Sequence, residues 1–548
     1  MSASSKKKLR KELNAAAMTE KQLQEQKEVK KLRLYTGIFA VAIAVMILVV
    51  AFSRVSSSGI IPRSTTALTV GGTKVSAAEL NHYIDSVNNF LNSYGDYVSL
   101  FGLDTTKALD EQYYNEAEGQ TWSDYFLESA AASAQNMYAV YNDAKANGFT
   151  LSAESKASID ETVENMALYA TLYGFSSSDA YIAAMYGEGC NEETFRQYAE
   201  VQMTAQEYAA AKNESLTYDD AALRAEEAEN FNAYSSFTYN YYYLGASSFY
   251  QGGTEDENGN KTYSDEEKAA GVAAAEAAAN SLLTSTTADE LNAAVAALEI
   301  NATATNAAST RCENYLYSSV SSIMSDWVTS ADRKAGDITV IPNTSTTHSH
   351  EDGEECTGEN DTTVTNGYYV VLFEGKDDNL IELVNVRHIL IGFEGGTTDE
   401  TTGVTTYSDA EKLTAKNAAE TILEAFLEGE KTEEAFAELA TKNTDDTGSQ
   451  TTGGLYENVY PGQMVTNFND WCFDSARKAG DTGIVETEYG YHIMYFVGNS
   501  GTTYRDYMIE STLRNADLTA WETALIEGAE LAIVNTKYVK TGLTLSSN

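Results

Sequence analysis

The chain has 548 residues, enough for several domains that each bury a core. Its net charge at pH 7 is −45, and because residues 1–34 contribute +6, the remaining residues carry −51. A surface this acidic repels phosphate backbones and anionic lipid, which argues against a nucleic-acid partner and favours solubility. Cys190, Cys312, Cys356 and Cys472 form no closely spaced pair, which argues against a disulfide framework or a zinc module.

The amino-terminal residues 1–34 form a lysine-rich tail that precedes an apolar segment. Residues 35–52 contain eighteen residues without a charge, long enough to cross a bilayer as a helix. The basic excess before this segment predicts a cytoplasmic amino terminus, with everything after Arg54 outside. A cleaved signal peptide is the alternative, but the basic region is unusually long and no A-x-A site follows. We therefore predict an uncleaved signal anchor over residues 35–53 and a Ser-rich linker over residues 54–66.

Residues 67–230 are predicted to be mostly helical. Two short β-like segments flank a Gly-Gly turn within residues 67–75. Ser76 and Glu79 then have the spacing of a capping box that starts a helix. From there to about Asn230 the chain is rich in Ala, Glu, Tyr and Leu and contains no proline, which predicts several helices.

Residues 231–380 and 381–499 contain an internal repeat. Two pairs of segments match at a constant offset of 144 residues. They are TYSDEEK at 262–268 with TYSDAEK at 406–412, and RKAGD at 333–337 with RKAGD at 477–481. Each copy also has Ser and Glu at capping-box spacing, Ser264 with Glu267 and Ser408 with Glu411. The repeat therefore predicts two modules of the same local structure.

The second copy begins and ends with β-rich runs that each contain a histidine. His388 lies in residues 384–391 and His492 in residues 487–497. Between these runs come three motifs in order, GGL at 453–455, GQM-x3-F at 462–468 and KAGD at 478–481. This order of motifs, over about 115 residues, resembles the parvulin family of peptidyl-prolyl cis-trans isomerases.

The resemblance implies a polar catalytic cluster and a pocket for proline. It assigns catalysis to His388, His492, Asp446 and Thr487, and substrate binding to Leu455, Met464, Phe468 and Gln463. Rotation about an X–Pro bond faces a barrier of about 18–20 kcal/mol but breaks no covalent bond. A catalyst therefore needs an apolar slot for the ring and polar groups near the carbonyl that favour the twisted amide. No cofactor and no metal is expected.

Several of these assignments have a structural alternative. A single apolar pocket residue is usually core, and the alternative for Asp446 is a turn residue within residues 443–448. The segment before GQM is one residue longer than the family pattern, which blurs the role of Gln463. Residues 393–400 contain no Arg or Lys, which argues against a preference for phosphoserine. A lone strand histidine is usually structural, whereas a pair on the first and last strands of this frame indicates a site.

The first copy lacks both histidines. Tyr368 and Tyr369 stand where the second copy has Tyr491 and His492, and its opening run at 237–244 contains no histidine. The first copy is therefore predicted to be a degenerate parvulin-like module.

Two further features of the first copy have more than one interpretation. Its opening run alternates aromatic residues, which predicts core packing, with a peptide-binding face as the alternative: Phe237, Tyr239, Tyr241 and Tyr243. An insert at 343–366 contains His348, His350 and Cys356 among Thr, Ser, Gly and Asn. We predict a solvated loop there, with a metal site as the alternative.

The strand, Gly-Gly turn, strand and helix at residues 67–79 resemble the start of a SurA/PrsA-type chaperone domain. Residues 503–536 return to a helical pattern with apolar residues three to five positions apart. In that family a C-terminal helix packs on the N-terminal domain, so the resemblance implies that residues 500–548 rejoin residues 67–230. The predicted fold class is α+β: a membrane anchor helix, a helical chaperone domain and two parvulin-like α/β modules.

The predicted function is that of a membrane-anchored, extracytoplasmic peptidyl-prolyl isomerase and chaperone. The resemblance implies that it assists the folding of exported polypeptides that contain X–Pro bonds. The predicted location is the cell membrane, crossed once. The alternative is a non-catalytic holdase that uses the parvulin frame to bind clients, favoured by the histidine-free copy and the large helical region.

Overall fold

A computed structural model of the chain describes residues 4–8, 43, 46, 59–92, 99–104, 107–298, 311–347 and 362–539. Almost all of the predicted anchor at 35–53 lies outside these residues, as do His348, His350 and Cys356 of the predicted loop. Within the described ranges, no helix is both long enough and apolar enough to cross a membrane. Helices and strands alternate irregularly along the chain, so the predicted α+β class is confirmed.

The chain divides into two compact units. The first combines residues 1–217 with residues 514–548, and the second comprises residues 218–513. The first unit is therefore built from both ends of the chain.

A small antiparallel sheet joins the two ends within the first unit. Its strands, in the order β17-β1-β2, are β1 (Thr66–Val70), β2 (Thr73–Ser76) and β17 (Leu531–Ile533). Leu68 pairs with Val75 on one side and with Ile533 on the other. The prediction of a helical pattern up to residue 536 is wrong at its end, because Ile533 lies in β17. A strand there supplies β1 with backbone partners that a helix could not give.

Helices form most of the first unit. They are α1 (Ile60–Ser64), α2 (Ala77–Asn92), α3 (Trp122–Ala146), α4 (Ala153–Leu172), α5 (Ser178–Tyr186) and α6 (Glu192–Ser215), with a short hairpin of β3 (Tyr113–Asn115) and β4 (Gln120–Thr121) before α3. Side-chain caps fix several helix starts, and at α2 the backbone N–H of Glu79 donates to Ser76 as the sequence predicts. The main core packs the strands on the apolar faces of α2 and α3.

The first copy of the repeat forms a four-stranded antiparallel sheet in the second unit. It follows α7 (Asp220–Glu229), and its strands in the order β8-β5-β10-β9 are β5 (Ser236–Gly245), β8 (Arg311–Leu316), β9 (Ile338–Thr347) and β10 (Thr362–Asp377). A hairpin of β6 (Thr254–Glu255) and β7 (Lys261–Thr262) precedes helices α8 (Asp265–Ser281), α9 (Ala288–Ala296) and α10 (Ser322–Val328). Apolar clusters cover both faces of this sheet.

The second copy repeats this arrangement. Its sheet has the order β14-β11-β16-β15, with β11 (Glu382–Gly392), β14 (Leu455–Val459), β15 (Thr482–Glu486) and β16 (Gly490–Thr503). A hairpin of β12 (Thr397–Thr398) and β13 (Thr405–Thr406) precedes α11 (Asp409–Glu428), α12 (Glu433–Asn443) and α13 (Thr466–Cys472), and α14 (Tyr504–Gly528) follows the sheet. Both predicted capping boxes are present, at Ser264 and at Ser408. The repeat is thus one of structure as well as of sequence.

Candidate active site

The histidines of the second copy lie on the two central strands of its sheet. His388 on β11 pairs with Met494, and His492 on β16 pairs with Leu390, so the histidines are diagonal neighbours on one face. Their ring centroids are 5.2 Å apart, and only 3% of His388 and 6% of His492 is exposed. Strand order therefore brings together two residues that are 104 positions apart in the chain.

A continuous chain of hydrogen bonds runs through both rings. Oγ1 of Thr487 lies 2.9 Å from Nε2 of His492, and the two Nδ1 atoms lie 3.0 Å apart. At the other end, Nε2 of His388 lies 2.9 Å from Oδ2 of Asp446. One direction satisfies every contact: Thr487 donates to His492, His492 donates to His388, and His388 donates to the carboxylate. All four ring nitrogens are then occupied within the cluster.

Burial keeps both rings neutral. Desolvation lowers the pKa of His388 despite the opposing effect of the Asp446 carboxylate. Desolvation, with a further contribution from His388, lowers the pKa of His492 to about 4. At neutral pH the pair is therefore uncharged, as the hydrogen-bond chain requires.

Asp446 stays ionised beside this neutral pair. Burial opposes its ionisation, but hydrogen bonds from Ser449, His388 and Tyr456 outweigh burial and lower its pKa to about 2. The hydroxyl of Ser449 donates to Oδ2 of Asp446, and that of Tyr456 donates to the same oxygen at 2.9 Å. Burial and this bond raise the pKa of Tyr456 to about 12. The other carboxylate oxygen accepts the Gly448 N–H at 3.1 Å, so Asp446 also closes its turn.

Ser449 and Tyr456 are members of the cluster that the sequence analysis missed. Ser449 is 1% exposed and its hydroxyl also lies 3.2 Å from Nε2 of His388. Its spacing of three residues from Asp446 within one turn is the signal that points to it. Tyr456 stacks on His388 with ring centroids 5.0 Å apart, and nothing local in the sequence distinguishes it from a strand residue.

Apolar side chains adjoin the histidines on the same face. Phe468 on α13 meets both rings edge-on, with centroids 5.5 Å from His388 and 5.3 Å from His492. Met464 is partly buried against the same apolar cluster. A cleft of about 300 Å³ opens beside the cluster, lined by Val465, Thr466, Asn467, Thr487 and Glu488. The structure thus places apolar side chains and an accessible cleft next to the polar chain.

The remaining predicted substrate-binding residues are Leu455 and Gln463. Leu455 pairs with Arg387, so it lies on the opposite face of the sheet from the histidines, whereas Tyr456 pairs with Val386 on the histidine face. Gln463 is exposed, and its side-chain oxygen accepts the Tyr460 N–H at 3.1 Å. The structure therefore places Tyr456, and not Leu455, on the histidine face of β14, where it stacks on His388.

A β-bulge explains the extra residue before GQM. Between the pairs Val384–Val459 and Val386–Tyr456, strand β14 has one more residue than β11. Asn458 lies in this bulge with φ of +54°, and its N–H donates to the Asn385 side chain at 2.8 Å. The bulge therefore accommodates, within β14, the residue by which this segment exceeds the family pattern.

Gly454 allows the chain to approach β11 closely. Its φ is +73°, its carbonyl accepts the His388 N–H at 2.9 Å, and a Cβ there would lie 2.1 Å from the His388 carbonyl oxygen. Only glycine fits this position. The GGL motif therefore fixes the backbone of His388.

Comparison with known families identifies this module. Residues 368–498 match the family described as PPIC-type PPIase domain. The chain contains a parvulin-type peptidyl-prolyl cis-trans isomerase domain. Its first matched residues, 368–377, belong to β10 of the preceding sheet, so the parvulin domain proper begins at β11.

Two named foldases and chaperones are also similar to part of this chain. The chain is 37% identical over 67 residues to "Foldase protein PrsA 1" of Listeria innocua, a match that covers 12% of this chain and 23% of that protein. It is 27% identical over 160 residues to "Chaperone SurA" of Pseudomonas putida, covering 28% and 33% of the two chains. The chain therefore spans a third or less of the length of these relatives. The predicted kinship to parvulin-type isomerases of the SurA/PrsA kind is confirmed.

Solved structures show matches of similar extent. PrsA from Bacillus anthracis is 20% identical, with a TM-score of 0.17, and the match covers 27% of this chain and 59% of that one. PrsA from Bacillus subtilis is 25% identical, with a TM-score of 0.17 and coverage of 26% and 47%.

The register of the two sheets shows what the first copy has in place of the parvulin site. Gly367 pairs with Gly245 as Gly490 pairs with Gly392. Counting along the strands from these pairs, Tyr241 takes the place of His388 and Tyr369 that of His492. The two tyrosine rings lie 6.0 Å apart. The first copy thus has the strand arrangement of the second, with tyrosines at both histidine positions.

The aromatic run of β5 is mainly core, as expected. Phe237 and Tyr239 are 1% and 2% exposed, and Tyr241 is partly buried in the same cluster. Tyr243 lies at the rim, where its hydroxyl donates to the Asn366 carbonyl at 3.0 Å.

Proposed function

We propose that the chain is a membrane-anchored, extracytoplasmic peptidyl-prolyl isomerase and chaperone that assists the folding of exported polypeptides. The observation that carries the isomerase proposal is the buried, neutral histidine pair held between Thr487 and Asp446 beside Phe468. This arrangement has the two parts that X–Pro rotation needs, an apolar slot and a polar cluster.

The histidines act by position in this proposal. Because all four ring nitrogens are used inside the cluster, neither ring has a free nitrogen for proton transfer to a substrate. None is needed, since no bond breaks during rotation. The pair instead fixes Asp446 at one end and Thr487 at the other.

The proline ring packs on Phe468, Met464 and Tyr456, and the preceding carbonyl turns past Asp446. A planar amide carries partial negative charge on its oxygen, and the twisted amide carries less. The ionised carboxylate of Asp446 therefore repels the planar form more than the twisted one, which lowers the rotation barrier.

The test is isomerisation of a proline tetrapeptide by the full chain. His388→Ala and His492→Ala should each lower kcat/KM by about 10²-fold or more, the range of preorganised polar groups. The first copy offers matched controls, because Tyr241→Phe and Tyr369→Phe change the equivalent positions and should leave the rate unchanged. Equal rates in both histidine variants and the wild type would refute the proposed cluster.

Membrane anchoring rests on the sequence of residues 1–53, with its basic tail and charge-free segment. Protease added to intact cells should degrade the body of the protein while residues 1–34 stay protected. Degradation only after lysis would show that the proposed orientation is wrong.

A holdase activity is the second candidate function, supported by the first copy, which keeps the frame without the histidines. Holding a client requires extended surface, whereas isomerisation requires brief contact with one proline. The full chain with His388→Ala and His492→Ala should therefore still suppress aggregation of a chemically unfolded test protein. Loss of suppression in this variant would tie holding to the catalytic site and contradict a separate activity.

A further inference from the structure

The hairpin of α4 and α5 exposes a group of apolar side chains in the first unit. We name it the hairpin patch, and its members are Leu168, Tyr169, Leu172, Tyr173, Phe175, Tyr181 and Met185. Leu168, Leu172 and Tyr173 are 63%, 70% and 65% exposed. Single exposed apolar residues are normal, but a contiguous group marks an interaction site.

The hairpin holds this patch in a fixed shape. The opposite face of α4 is buried through Ile159, Val163, Met166 and Ala170. Gly174, at φ of +76°, ends the helix, and the Phe175 N–H donates back to the Ala170 carbonyl at 2.8 Å. Phe175 is thereby turned back toward the helix.

The aromatic rings of the patch contact one another. Tyr173 and Tyr181 are nearly parallel, with centroids 6.2 Å apart and an angle of 6°. Phe175 meets Tyr181 edge-on at 5.5 Å, and Tyr169 lies 6.4 Å from both tyrosines. Since these side chains are already ordered, binding a partner costs little further rotamer entropy.

Acidic residues outnumber basic ones around the patch; the basic residues nearest in sequence are Lys156 and Arg196, and Arg196 pairs with Asp160 on α4. Residues 157–195 contain seven Asp or Glu and no Lys or Arg. Glu161 and Glu164 are exposed on α4 and lie one to two turns before Leu168 on the same stripe of the helix. Asp179 and Glu188 are exposed at the start of α5 and just after its end.

The negative charge around the patch determines which kind of partner can bind there. An anionic membrane surface is repelled, and a second copy of a chain with net charge −45 is repelled as well. A polypeptide segment with apolar or aromatic residues next to Lys or Arg matches both the patch and its rim.

We propose that the hairpin patch is a docking surface for unfolded client segments in which apolar or aromatic residues are flanked by Lys or Arg. This inference rests on the proposed chaperone function, since it specifies the chemistry of the client. The hairpin patch belongs to the first unit and the parvulin site to the second, and binding at the patch requires no proline in the client.

The test measures binding of a fluorescent, proline-free peptide by the purified full chain, using anisotropy. The peptide contains Leu, Phe and Tyr flanked by Lys, and a matched peptide has Glu in place of each Lys. Leu172→Ser with Tyr173→Ser should weaken binding of the Lys peptide about tenfold or more, because two exposed apolar contacts are lost. Leu413→Ser is the control, since Leu413 is 55% exposed on α11 of the parvulin domain.

The charge is tested separately. Glu161→Gln with Glu164→Gln should weaken binding of the Lys peptide, and added salt should reduce this difference. The Glu peptide should bind several-fold more weakly than the Lys peptide. Circular dichroism should be unchanged in all variants, because every substituted side chain is exposed.

Four results would overturn the inference. The first two are unchanged affinity of the Leu172/Tyr173 variant for the Lys peptide and equal affinity of the wild type for the two peptides. The third is that the variant mainly loses self-association or binding to anionic vesicles. The fourth is that the patch crosslinks to residues 35–53 of the same chain. Suppression of aggregation of a chemically unfolded test protein is measured in the same samples. If the wild-type chain does not suppress aggregation, the proposed chaperone function fails, whereas suppression by the wild type that the Leu172/Tyr173 variant fully retains shows that only the docking proposal is wrong.

Discussion

The buried histidine pair should make the parvulin domain sensitive to mild acid. His492 has an ordinary pKa of 6.5 that folding lowers to about 4. Because the folded-state pKa lies below the unfolded one, protonation favours unfolding. The contribution of neutral His492 to the free energy of unfolding is therefore complete above about pH 6.5. It decreases as the pH falls and is entirely lost below about pH 4.

The size of this loss follows from the two pKa values. A shift from 6.5 to about 4 corresponds to about 3 kcal/mol in total, of which about 2.5 kcal/mol is lost by pH 4.5. The lowered pKa of His388 acts in the same direction. Asp446, with a pKa of about 2, loses its contribution only at lower pH, as do surface carboxylates such as Glu411 whose pKa is also lowered. The interval between pH 6.5 and 4.5 therefore isolates the histidines.

Urea unfolding of a fragment of residues 381–500 measures this effect, because Trp471 is its only tryptophan and packs against the core of the domain. The free energy of unfolding should fall by at least about 2 kcal/mol between pH 6.5 and 4.5. His492→Asn, which stays neutral, should lose most of this dependence. A wild-type free energy that is constant over this interval, or an unchanged slope in the variant, would refute the reasoning.

Three substitutions in the parvulin domain have distinct expected results. Asp446→Asn should lower kcat/KM about tenfold or more and also lower the pH 7 unfolding midpoint, since the amide keeps the shape but loses the charge that the hydrogen bonds from Ser449, His388 and Tyr456 stabilise; an unchanged rate contradicts a role for that charge. Phe468→Ala should raise KM for a proline tetrapeptide and lower the free energy of unfolding by about 3–5 kcal/mol, because Phe468 is 3% exposed; an unchanged KM argues against the proline slot. Gly454→Ala should prevent stable folding of the domain by circular dichroism, because its Cβ meets the His388 carbonyl oxygen at 2.1 Å; native-like stability would show that β11 can shift.

Features fixed by local sequence were predictable. The capping boxes at Ser264 and Ser408 depend on residues three positions apart, and both are present in the structure. The meeting of His388 and His492 was also predictable, because the family resemblance supplies the strand order that makes β11 and β16 neighbours. Thr487 follows from the same order, since it lies five residues before His492 in the turn that leads into β16.

Features fixed by pairing between distant segments were not predictable. The bulge at Asn458 sets which side chain of β14 faces the histidines, and it selects Tyr456 over Leu455. A shift of one residue moves a strand side chain to the other face, and no local signal reports that choice. Strand β17 is a second case, because its partner β1 lies more than 450 residues earlier and its apolar spacing continues that of the helix before it.

The two copies of the repeat together test why the histidines are there. In the first copy, Tyr241 and Tyr369 stand at the two histidine positions. Next to them, Met324 stands where the parvulin domain has Phe468. Val320 and Cys312 likewise stand for Met464 and Tyr456 by sequence offset and strand register. These three neighbours are thus smaller in the first copy, where the two central rings are larger.

The parvulin domain should therefore accept tyrosines only with compensation. His388→Tyr with His492→Tyr should lower the free energy of unfolding at pH 7 by about 1–3 kcal/mol through overpacking against Phe468. The acid sensitivity between pH 6.5 and 4.5 should already be lost in the double variant, because both histidines are gone. Adding Phe468→Met, the residue of the first copy, should restore much of the lost stability. Isomerisation should remain absent in this triple variant. If the third substitution restores no stability, the two copies do not share one packing arrangement around the site, and the equivalence of their tyrosine and histidine pairs is wrong.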